Sequence, residues 1–102
     1  MPGWLGNRLF AVIRTKGRAW DPSRPMRSQA KWSEHAEFMD KLAADGFVVL
    51  GGPLGDSGDF LIVMCAIDED EVQSVVRRDP WTASGMLDLK SLQPWTILLE
   101  SL

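Results

Sequence analysis

Phe60-Leu61-Ile62-Val63-Met64-Cys65-Ala66-Ile67 is an unbroken apolar run, preceded by Gly58 and Asp59 and followed by Asp68-Glu69-Asp70-Glu71. It falls far short of the roughly 18–20 residues that cross a bilayer, and its length and β-branched content read as a strand. Successive strand residues point to opposite faces of a sheet. Here Phe60, Ile62, Met64 and Ala66 make one face apolar, and Leu61, Val63, Cys65 and Ile67 do the same for the other. Both faces of any sheet built on this strand therefore need cover. With 102 residues, 45% of them hydrophobic, the chain is expected to form one domain spanning residues 1–102 around one core.

The remaining elements follow from punctuation and period. Leu9-Phe10-Ala11-Val12-Ile13 reads as a first strand, ended by Arg14. Residues 15–30 hold Gly17, Pro22 and Pro25 among polar and basic residues and form a long loop, a length often associated with function. From Trp32, the positions Trp32, Phe38, Met39 and Leu42 predict a helix, with Ser33 as its cap and Gly46 at its end. Phe47–Leu50 and the 60–67 run should form a hairpin across Gly51–Gly58. Asp68 and Glu71 make a capping box for a second helix with Val72, Val75 and Val76 as its buried stripe, ending near Arg78 before Pro80. Leu87 and Leu89 mark a short strand, and Pro94–Leu99 a last long one.

Strand, helix, strand, strand, helix, strand is the order of an α+β, ferredoxin-like four-stranded antiparallel sheet with both helices on one face. Two helices cover only one face. The other would be a larger apolar patch than soluble monomers tolerate, so a second copy of the chain is expected there, making a homodimer. The alternative cover is the loop 15–30 together with the chain ends.

A net charge of −3 gives no reason to expect nucleic acid or an anionic membrane as partner. The opening Met1-Pro2-Gly3-Trp4 lacks the basic and apolar stretches of a secretory signal, which points to the cytoplasm. The single cysteine, Cys65, reads as a small buried hydrophobe. One histidine and one distant cysteine do not make a metal site, no phosphate-binding glycine loop occurs, and no cofactor is expected.

Ferredoxin-like topology gathers four segments at one rim of the sheet: the loop 15–30, the first turns of the first helix with His35, the Gly51-Gly52-Pro53 turn, and Asp79-Pro80-Trp81. Such a convergence has the make-up of a small-molecule cleft. His35 shares a helix face with Phe38, Met39 and Leu42 and should point at the sheet. A carboxylate on one of its ring nitrogens would fix the tautomer and leave the other for proton transfer, and Asp79 is the candidate. On residue types alone, a structurally satisfied histidine with Asp79 capping a turn is the more common arrangement. Arg14, the Gly51-Gly52-Pro53 backbone and Trp81 are the expected substrate contacts, although the glycine pair would equally shape a strand end or bulge. Trp20, Trp32, Trp81 and Trp95 are as readily core or dimer contacts as cavity walls.

The string His35-x-x-Phe38-Met39-x-x-Leu42, then Gly46-Phe47-Val48-Val49-Leu50-Gly51-Gly52-Pro53-Leu54, then Asp79-Pro80-Trp81 with Gly85 and a closing Trp95 strand, resembles the YCII-like family from about Leu9 to Leu99. The resemblance implies a dimeric α+β barrel in which two ferredoxin-like sheets pack face to face. It further implies a catalytic His-Asp pair, mapping onto His35 and Asp79, and a cleft near the Gly-Gly-Pro segment. The wider class includes a muconolactone isomerase and a dehydrochlorinase of chlorinated hydroquinones. Proton transfer of isomerase or lyase type on a small cyclic or aromatic molecule is accordingly the leading expectation. A non-catalytic small-molecule binding or regulatory domain is the alternative, and a cofactor-free monooxygenase a third.

Overall fold

The computed structural model describes residues 8–99. Its elements are β1 (Arg8–Lys16), a 3₁₀ turn (Met26–Ser28), α1 (Trp32–Ala44), β2 (Val48–Pro53), β3 (Asp59–Ala66), α2 (Glu69–Arg78), α3 (Pro80–Ala83) and β4 (Leu87–Trp95). The strands form one antiparallel sheet in the order β2-β3-β1-β4, the ferredoxin-like arrangement. Among the described residues no helix is long and apolar enough to cross a membrane.

Register assigns the two faces. Phe10 opposes Met64 and Val12 opposes Ile62, and these four close a core with Ala66 and with Val72 and Val76 of α2. Burying side chains of this size contributes about 1.5–3 kcal/mol each, which makes this layer the main stabilising element. On the opposite face Leu9 opposes Cys65, Ala11 opposes Val63 and Ile13 opposes Leu61, so the two central strands are apolar on both sides. The loop 15–30 does not cover that second face. Its Trp20 packs on Phe60 and Trp81, on the helix side.

Several boundaries differ from the sequence expectation. Arg14 does not end the first strand but lies inside β1, 1% exposed and turned toward the helices. A charged residue reads as a strand end only while its counter-ion, distant in sequence, is unknown. Gly51-Gly52-Pro53 is not a turn but the second half of β2, paired with Ile62, Leu61 and Phe60. An edge strand tolerates glycine and proline because only one side of its backbone is in the ladder. Leu87 and Trp95 belong to one continuous strand with a register shift opposite Ile13 and Arg14, while residues 96–99 lie outside it.

Helix ends are set by local hydrogen bonds. Ser33 does not cap α1, whose N-cap is Lys31, held in the left-handed region at φ 62° with no side-chain cap. At the other end Gly46 adopts φ +80°, and the N–H groups of Gly46 and Phe47 donate to the carbonyls of Ala43 and Leu42. That paired closure requires a residue free of a Cβ penalty. Asp68 caps α2 through the Glu71 N–H at 2.9 Å, and Glu71 reaches back to the N–H of Ile67 rather than to that of Asp68.

Candidate functional site

Pro80 cannot donate a backbone hydrogen bond and is preset for a first helical position, so α2 stops and α3 starts at one residue, Asp79. Its side chain accepts from the Trp81 N–H at 3.0 Å, which fixes the carboxylate at the helix junction. The same carboxylate, 1% exposed, accepts from Arg14 Nη1 at 2.5 Å and lies 2.9 Å from Nδ1 of His35. The helix-capping role and the histidine-pairing role weighed from the sequence are thus held by one side chain.

Burial by itself would raise the Asp79 carboxyl. Hydrogen bonds from His35, the Trp81 N–H and Arg14 outweigh it and hold the group below the usual carboxylate value. An ionised carboxylate only accepts, so Nδ1 of His35 carries the hydrogen and Nε2 is left as the basic ring nitrogen. His35 is the buried residue of α1, and its ring lies flat on Trp81, centroids 3.9 Å apart and planes 8° from parallel. Hydrogen bond and stack together leave the ring one orientation.

Arg14 is held in turn. Nη2 donates to Thr82 Oγ1 at 2.5 Å and to the Leu87 carbonyl at 3.4 Å, and Thr82 donates onward to the Val76 carbonyl at 2.6 Å. Its Nε is buried without a partner among the described residues. The expectation that Arg14 meets a ligand at an open rim is modified by this geometry: the guanidinium is occupied first by Asp79.

These groups border a cleft of about 330 Å³ between α1 and the sheet. Arg14, His35, Trp32, Met39, Phe60 and Trp81 line it, together with Leu50, Gly51, Gly52 and Pro53 of β2. All the expected site residues except Asp79 border this cleft directly, and Asp79 reaches it through His35 and Arg14. A larger hollow of about 650 Å³ lies at the far end of α1, lined by Leu42, Phe47, Val75 and Arg78 among others. It lacks the buried ionic network, so the smaller cleft is the candidate site. Trp95 stands apart on β4, 45% exposed and opposite Leu9.

Two contributors had escaped sequence reading. Thr82 belongs to α3, whose signal was Asp79 as cap followed by Pro80 at the first helical position. Gln29 is buried and ties the loop into a closed lobe, accepting from the Asp21 N–H and donating to the carbonyls of Asp21 and Arg24. The lobe brings Trp20 and Met26 against Trp81, whose Nε1 donates to the Ala30 carbonyl at 2.7 Å. No local sequence pattern marked Gln29.

Residues 9–96 match the family described as YCII-related domain. No curated protein matches the chain. Among solved structures the chain is similar to a 5-chloro-2-hydroxyhydroquinone dehydrochlorinase from Burkholderia phenoliruptrix AC1100, in complex with 2,5-dihydroxybenzoquinone. The two share 24% identity over 86% of this chain and 93% of that one, with a TM-score of 0.59, a likeness of fold.

Proposed function

Because the chain belongs to the YCII-related domain family, we propose that it is a small-molecule enzyme that moves a proton on a small cyclic or aromatic substrate in the cleft between α1 and β2. The observation that carries this reading is the buried Arg14–Asp79–His35 chain, with Nδ1 committed to the carboxylate and the ring bordering a partly aromatic cleft. In the proposed step Nε2 of His35 removes a proton from the substrate or delivers one, and Asp79 fixes the tautomer and orientation of the ring. Backbone donors near Gly52 stabilise negative charge developing on oxygen, for which an edge strand offers N–H groups outside the ladder. The similar fold of a dehydrochlorinase bound to a quinone agrees with a ring-shaped substrate.

The working unit is proposed to be a homodimer. Support comes from the second sheet face, where Leu9, Ala11, Ile13, Leu61, Val63 and Cys65 are all apolar, Leu9 and Val63 buried and the other four half-buried in the single chain, with Leu50 and Trp95 exposed beside them, and from the loop's packing on the other side. Light scattering at micromolar concentration should give twice the chain mass, and the monomer mass would remove the dimer.

The chemistry is tested by thermal-shift screening with phenols and lactones, followed by solvent deuterium exchange into any ligand found. His35→Gln should slow that exchange about 10²–10⁴-fold. Exchange at the original rate in the variant rules out His35 as the base, and binding without exchange makes the domain a binding module.

A further inference from the structure

Three ionisable side chains meet at the cleft, and their charges do not add up to the charge of an isolated His-Asp pair. In such a pair the protonated imidazole is neutralised by its carboxylate. Here Asp79 is already matched by Arg14, at 2.5 Å and with both side chains almost fully buried. When His35 accepts a proton, Arg14, Asp79 and His35 together carry one positive charge.

We infer that Arg14 sets the charge of the site: by cancelling Asp79 it leaves the protonated His35 as the uncompensated charge in the cleft, so the site holds singly anionic ligands against the imidazolium. This rests on the small-molecule reading of the cleft given above and narrows its ligand class to weak hydroxyl acids of phenol or enol type. The step balances within the pair. The ligand O–H bond breaks, its electron pair stays on oxygen, and the proton goes to Nε2 of His35. An ionised ligand taken from solution requires the proton to come from the solvent.

Among the described residues, charged groups facing His35 are few. From β1 comes Arg14 and from the α2–α3 junction Asp79, while Trp32 and Trp81 supply aromatic rings. On α1 itself Asp40 also borders the cleft, but it is exposed, where solvent and salt screen it. Trp81 lays its indole face flat against the ring, a surface that attracts cations. The buried Nε of Arg14, unpartnered among the described residues, leaves the positive side of the ion pair incompletely satisfied.

The probes are 4-nitrophenol and its uncharged analogue 4-nitroanisole, measured by calorimetry in two buffers of different ionisation enthalpy at about pH 8, where an ordinary imidazole is neutral. With the native chain, 4-nitrophenolate should bind at least about tenfold more tightly than 4-nitroanisole and take up close to one proton per site. Since His35 is the single histidine, its ring proton resonance should move to the imidazolium position as the complex forms. In Asp79→Asn the positive charge of Arg14 is no longer cancelled, so the preference for the anion should persist while proton uptake falls toward zero. In Arg14→Met, where it folds, the preference should disappear. Equal binding of the two probes, or binding of the anion by the native chain without proton uptake, overturns the inference while leaving the cleft as a small-molecule site. Failure of both probes to bind overturns this inference, and the small-molecule reading falls with it when the screen of phenols and lactones finds no ligand either.

Discussion

The imidazole of His35 and the indole of Trp81 are stacked at 3.9 Å, and Asp79, two residues before Trp81, bonds both the imidazole Nδ1 and the Trp81 backbone N–H. The stacking partner and the hydrogen-bond partner of the ring are therefore carried by one rigid turn. Trp81→Phe keeps a flat surface under the ring but removes the Nε1 donor to the Ala30 carbonyl. It should lower stability by about 1–3 kcal/mol. Trp81→Ala removes the surface as well and should cost about 3–5 kcal/mol. Urea unfolding monitored by circular dichroism checks both.

Arg14→Met leaves the Asp79 carboxylate buried without its cation and should destabilise the fold by about 3–5 kcal/mol. Removing both charges in Arg14→Met with Asp79→Asn should recover part of that loss. The coupling free energy from a double-mutant cycle is the measurement. Strict additivity of the two substitutions would show that the ion pair contributes nothing.

Acid should unfold the protein partly through Asp79. Its carboxyl lies lower in the folded chain than the ordinary value of 3.8, because hydrogen bonds from His35, Trp81 and Arg14 outweigh the opposing effect of burial. Between the two values the unfolded chain binds more protons, so stability is fully present above the ordinary value and is lost as pH falls through the native one. A single group contributes a slope of at most about 1.4 kcal/mol per pH unit in that window. Asp79→Asn should flatten this part of the curve. Asp21 and Asp59 are also held low by hydrogen bonds, to Ser23 and to Lys90 respectively, so a residual acid dependence should survive.

Gln29→Glu places a carboxylate oxygen where the side-chain amide donates to the carbonyls of Asp21 and Arg24. The lobe 17–31 should loosen, with a loss of about 1–3 kcal/mol and faster proteolysis near Arg24. Gly17→Ala attacks the same lobe at its base, since an added Cβ would collide with the carbonyl of Gly85. Native-state hydrogen exchange at Ala19, whose N–H donates to that carbonyl, reads out both variants.

The sheet and its partners were legible because apolar periodicity records which faces are buried, and Phe60–Ile67 recorded both. The convergence of His35 and Asp79 was legible from connectivity, since element order fixes which ends meet. Arg14 reads locally as the end of its strand. That it lies inside a strand depends on Asp79, 65 positions away, and no local pattern carries a pairing at that distance. The Gly51-Gly52-Pro53 segment reads two ways, as a turn or as a strand end or bulge, and the strand is the one adopted. Its residues signal a turn locally, whereas an edge position in the sheet overrides that preference. Thr82 and Gln29 were invisible because hydroxyl and amide side chains serve many surfaces, and only the finished fold shows which ones they bridge.

Asp79 caps the four-residue helix that begins at Pro80 with the same oxygens that hold His35 and Arg14. A carboxylate shared in this way turns the site into a gauge of local opening. When the turn from Arg78 to Trp81 frays, the histidine loses its orientation and the arginine its counter-ion in one event. Protection of the Trp81 amide against exchange and the accessibility of the His35 ring to alkylating reagents should then respond together to temperature and denaturant, as two views of one equilibrium.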